Sequence, residues 1–168
     1  MDPDPPSFKL LIMTVDFSIV TGFVLLFFLL ACSALISGAE VAMFSLTKTD
    51  IEDGLYKKSK RIQIISQLLE RPKKLLATIL VANNFINIAI VILFAYLGSF
   101  LFENILSPIL RFFIEVIIVT FLILFFGEIL PKIYASRNKL KFATFMAYPL
   151  SVLDVVLSPL SLPMRNFT

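Results

Sequence analysis

Three groups of polar residues stand where the chain is otherwise apolar, and the atoms they offer are oxygens. Ser33, Ser37 and Glu40 follow at spacings of four and three, which puts their oxygens on one helix face. Gly38 lies among them and lets another backbone approach closely, or lets the helix break. Asn83, Asn84 and Asn87 fall within an arc of about 100° on a helix, and each offers the carbonyl oxygen that hard cations prefer. The third group is Gly127-Glu128-Ile129-Leu130-Pro131-Lys132, at the end of an apolar run. Pro131 has no N–H, so the Gly127 carbonyl four residues back loses its helical donor, and Pro131 reads as the helix break. An ionised Glu128 at membrane depth costs about 2.5–3.5 kcal/mol on insertion scales, so it needs a partner.

Each group also has a purely structural reading. Ser and Gly are common packing residues between membrane helices. A single Asn can be an interhelical hydrogen bond. Glu128 could pair with Lys132 one turn on. Taken together, hydroxyl, amide, carbonyl and carboxylate oxygens suit Mg2+, Ca2+ or Na+ better than Zn2+ or Cu+. The chain has no His, and its one Cys, Cys32, sits in an apolar run. No nucleophile–base pair is visible, so the sequence does not read as an enzyme.

The elements that must carry these groups follow from composition. The chain has 168 residues, 58% hydrophobic and 16% charged, with a mean hydropathy of +0.93. Soluble domains carry about 25% charged residues. The balance excludes a disordered chain, a nucleic-acid-binding arm and an ordinary soluble enzyme, and points to an all-α protein surrounded by membrane lipid. Uncharged or nearly uncharged runs give three spans, at about residues 17–40, 75–102 and 105–130. In the last of these Arg111 and Glu115 are four apart and can pair. Residues 1–16 read as a short tail.

Between the first two spans, Thr49 with Glu52 makes a capping-box pattern that starts a short helix, which Gly54 interrupts. Ser59 caps a second, with Ile62, Ile65, Leu68 and Leu69 on one side, and Pro72 starts the next element. Residues 137–162 read as an amphipathic juxtamembrane helix lying in the interface, with a fourth span over 142–162 as the alternative. Lys141, Thr144, Tyr148, Ser151, Asp154, Ser158 and Ser161 recur every three or four residues along one stripe. Pro163–Thr168 reads as the lead-in to a further soluble domain.

Orientation follows from the basic residues. The 47–74 loop holds Lys48, Lys57, Lys58, Lys60, Arg61, Arg71, Lys73 and Lys74, and the 98–110 loop holds none. The positive-inside rule puts the first loop and everything after Pro131 in the cytoplasm, and the N-terminus outside.

Ser37-Gly38-Ala39-Glu40 with Ser45, Asn83-Asn84 with Asn87, and Gly127 to Lys132 occur in that order, one group per span. They resemble the signature segments of the CorC/CNNM family transmembrane domain, over about residues 15–165. The resemblance implies three spans, a belt-like cytoplasmic helix, a homodimer, and cytoplasmic CBS domains downstream. It also implies Mg2+ export from a bacterial inner membrane, coupled to Na+ influx in some members. It places Mg2+ on Ser37, Asn84 and Glu128. Ser33, Gly38, Glu40, Asn83, Asn87 and the Gly127 carbonyl are then neighbours or further ion ligands. The Asp-Pro-Asp-Pro-Pro start is similar to a gliding-motility-associated bacterial branch, which implies service to a protein-secretion or motility apparatus and leaves transport open, with a non-transporting membrane scaffold as the alternative function.

Overall fold

The computed structural model describes residues 6–104 and 107–159, with side chains from residue 17 onward. Residues 1–5, Ser161 and Arg165 therefore lie outside the described residues. Among the described residues seven α-helices follow in order: α1 (Pro6–Phe44), α2 (Lys48–Tyr56), α3 (Lys60–Leu69), α4 (Pro72–Leu101), α5 (Pro108–Leu122), α6 (Leu130–Arg137) and α7 (Lys139–Val156). A π-helical segment, Ile123–Ile129, joins α5 to α6 without a break in the rod. No strand occurs among the described residues. Three stretches are long and apolar enough to cross a membrane: Phe17–Phe44, Pro72–Leu101 and Pro108–Arg137. The protein is an all-α membrane protein, and α7 is not among the spanning stretches.

Lipid is as apolar as leucine, so the spans are not held together by exclusion from water. Close approach of small residues and interhelical polar contacts do that work. Ala39, Ala42, Ala135, Ala143 and Ala147 are fully buried, and around them α1, α3, α4, α6 and α7 form one apolar cluster with Met43, Ile65, Leu75, Ile79 and Leu150. A second cluster, at the other end of the bundle, joins Leu26 and Leu30 of α1 to Ile90, Phe94 and Leu97 of α4 and Val119 of α5. Between the two clusters both helices carry polar residues, Ser33 on α1 and Asn83, Asn84 and Asn87 on α4, and Ser37 follows one turn on, within the first cluster.

The helix ends show where local chemistry decided. The capping box is built two residues earlier than the Thr49–Glu52 pattern suggests. The Thr47 hydroxyl accepts from the Asp50 N–H, and Asp50 Oδ2 accepts from the Thr47 N–H at 2.9 Å. These bonds hold the Asp50 carboxyl down at about 2, and Lys139 Nζ, 3.2 Å away, adds to the effect. Gly54 does not interrupt α2 but lies inside it, where a side chain would collide with Ile62 of α3. Ser59 caps α3 and Ile62 and Ile65 are buried, as the periodicity predicts. Pro72 opens α4.

Two boundaries differ from expectation. α1 begins at Pro6, so the helix takes in most of the stretch before residue 17. Pro131 does not end the third span, which continues to Arg137. The reason is the π-segment. The Leu130 N–H reaches back five residues to the Phe125 carbonyl, so the register changes just ahead of the proline. Pro131 then stands in the first turn of α6, where a missing donor does no harm.

α7 lays Ala143, Met146, Ala147 and Leu150 against the bundle, at spacings of three, one and three. Its predicted polar stripe is partly used. Asp154 accepts from Lys74 Nζ at 2.9 Å and from the buried Thr78 hydroxyl at 3.3 Å. Tyr148 lies under the Arg61 guanidinium, 5.8 Å from its ring centre. Phe145, Val152, Val155 and Val156 face outward.

Candidate ion site

α1 and α4 run antiparallel, as the pairs Ser18–Tyr96 and Ser33–Asn87 show. Their facing polar residues therefore meet half-way along. Ser33 is fully buried, and its Oγ lies 2.9 Å from Asn87 Oδ1 and 3.2 Å from Asn83 Oδ1. One hydroxyl proton serves one acceptor at a time, so the second amide must turn its NH2 inward or share its oxygen with something else. The third span closes the group. A Cβ on Gly127 would stand 2.9 Å from Ser33 Oγ, so only glycine leaves the spans this close. Ser33, Asn83, Asn87 and Gly127 are thus brought together from all three spans.

Ser37 is one turn further along α1. It is 1% exposed, and its Oγ has no hydrogen-bond partner among the described residues. An unsatisfied buried hydroxyl costs about 1–3 kcal/mol, and in a membrane interior no bulk water relieves it. Next to it in sequence, Gly38 receives the Phe142 ring of α7. A Cβ there would be 2.6 Å from Phe142 Cζ.

Glu128 directly follows Gly127, is half-buried, and has no hydrogen bond or ion pair among the described residues. The alternative Glu128–Lys132 pair is not formed. Lys132 Nζ turns instead to Glu40 Oε2, 3.5 Å away on α1. Glu128 lies in the π-segment and Lys132 in α6 beyond it. Asn84 is exposed on α4 and makes no hydrogen bond among the described residues. It lies about 100° around the helix from Asn83, whereas Asn87 shares Asn83's face. Arg111 and Glu115 pair at 2.8 Å near the other end of the third span, as their spacing predicts. No group of three or more His, Cys, Asp or Glu side chains gathers among the described residues. The polar layer thus offers mainly neutral oxygens and one carboxylate.

Sequence reasoning did not find the Lys74–Asp154–Thr78 cluster. Its signal was present, because Asp154 is the one acid in the apolar 142–162 stretch.

The family model for the cyclin M transmembrane N-terminal domain matches residues 24–168. That range takes in every residue of the polar layer. The chain belongs to the cyclin M transmembrane-domain family. It is 31% identical over 148 residues to the UPF0053 protein of Haemophilus influenzae, covering 88% of this chain and 34% of that one. It is 27% identical over 128 residues to the UPF0053 inner membrane protein YfjD of Escherichia coli, covering 76% and 29%. It is 31% identical over 153 residues to the metal transporter cnnm-4 of Caenorhabditis elegans, covering 83% and 30%. The chain thus spans about a third of the length of the curated relatives it matches.

Proposed function

We propose that this chain is the membrane domain of a divalent-cation transporter of the bacterial inner membrane, and that it moves Mg2+ outward. The observation that carries the reading is the Ser37 hydroxyl, buried and without a hydrogen-bond partner among the described residues. A cation is the simplest group that would satisfy its lone pairs. Glu128, half-buried and unpaired among the described residues, supplies the charge. Asn84 is the third ligand. It faces outward in the single chain, so its part requires a second copy or a turn of α4 by about 100°. The Ser33–Asn83–Asn87 group beside them is a second oxygen cluster suited to Na+. The names of the relatives, an inner membrane protein and a metal transporter, support the reading.

Export needs coupling. Moving one charge against 100 mV takes about 2.3 kcal/mol, and a divalent ion takes about twice that. Na+ influx supplies such a drive. The basic end of the bundle faces the cytoplasm on the positive-inside rule, where CBS domains of the longer protein would follow α7. The protein works as a homodimer and without covalent chemistry.

Calorimetric titration of the detergent-solubilised protein with Mg2+, Ca2+ and Na+ tests this. Saturable Mg2+ binding is expected, lost in Glu128→Gln and weakened at least tenfold in Ser37→Ala. Absence of saturable binding to the folded wild-type protein would overturn the reading and leave a membrane scaffold in its place.

A further inference from the structure

Two charges flank the proposed site on the side of the basic helices. Glu40 is three residues beyond Ser37 on α1, and Lys132 is four beyond Glu128 on the third span. Each therefore stands one turn from a proposed ligand and roughly on its face. α1 and the third span run parallel, as Ser33 beside Gly127 and Glu40 beside Lys132 show. The two charges thus meet one turn from Ser37 and Glu128, toward that end of the bundle. They meet loosely. Lys132 Nζ is 3.5 Å from Glu40 Oε2, with the side chains 41% and 38% exposed. Glu40 also lines an open depression of about 390 Å3 with Val41, Phe44, Ser45 and Leu76. Hydrated cations have room to reach the carboxylate there.

An ion pair this exposed does little to hold two helices together. It does set the local charge. The Lys132 ammonium occupies the carboxylate that an arriving cation would first meet, and it repels cations from the mouth of the site.

We propose that Glu40 and Lys132 form a charge gate at the mouth of the ion site. An entering divalent cation displaces the ammonium from Glu40, rests on that carboxylate, and passes one turn inward to Ser37 and Glu128. Weakness of the pair is what the role requires, because a strong pair would not exchange. This inference rests on the ion-site reading above and assigns two residues that lie outside the Ser37–Asn84–Glu128 set.

The gate predicts opposite effects from its two halves. Mg2+ titration of the whole protein is expected to show tighter binding in Lys132→Gln and weaker binding in Glu40→Gln, each by about tenfold. Lys132→Arg keeps the charge and should bind as wild type. A helix staple predicts something else: lower thermal stability in both variants, with Mg2+ affinity unchanged or lowered in both. Effects of the same sign, or none, would overturn the gate while wild-type binding still upheld the ion site. No Mg2+ binding by the wild-type protein would overturn both.

Discussion

At Gly38 the absence of a side chain is what lets α7 dock. The Phe142 ring occupies the space a Cβ would take and meets Tyr134 edge-on with centroids 6.1 Å apart. Gly38→Ala should lower stability in detergent by about 1–3 kcal/mol through overpacking, read as a fall in the midpoint of thermal unfolding. Phe142→Leu in the same chain should recover most of that loss, because the smaller side chain gives back the space. Failure of the second change to rescue would mean that the ring is not the obstacle. The polar residues themselves were legible from sequence, since oxygens at membrane depth demand a reason. Their sorting was only half legible. Asn83 and Asn87 are four apart and share a face, which is the face that meets Ser33. Nothing in the spacing says which of the adjacent Asn83 and Asn84 turns inward, because that depends on where α1 lies.

Among the elements, α7 is tied to the foot of α4 by one small network. Lys74 and Asp154 are 12% and 18% exposed, and Thr78 donates to the same carboxylate. Removing one partner of a buried pair leaves an uncompensated charge. Asp154→Ala should therefore destabilise the protein by about 3 kcal/mol, whereas the double change Lys74→Met with Asp154→Leu should be nearly neutral. Thermal unfolding of the two variants checks this, and equal losses in both would show that the pair itself supplies net stability. The spans were legible because uncharged runs long enough to cross a bilayer are rare by chance. Ser59 was legible as a cap because a hydrophobic period follows it. The extension of the third span past Pro131 was not. A proline normally reads as a helix end, and the wide turn that accommodates it, Ile123–Ile129, has no sequence period of its own.

For the molecule as a whole, the three spans put the 47–74 region and the 98–110 region on opposite sides of the membrane. In a Cys32→Ala background, Glu103→Cys should react with a membrane-impermeant maleimide in cells whose outer barrier has been opened. Lys57→Cys should react only after the inner membrane is broken. The reverse pattern would invert the orientation drawn from the basic residues. The amino-acid order alone determined the all-α membrane class, the number of spans and the existence of a polar layer, because hydropathy and helical period are properties of the chain. Only the tertiary structure decided that Ser33 gathers two amides while Ser37 gathers none, that Lys132 turns from Glu128 to Glu40, and that Phe142 fills the gap at Gly38. A helical period says which residues share a face. Which of them find partners depends on what the neighbouring helices bring to that face, and those neighbours lie tens of residues away along the chain.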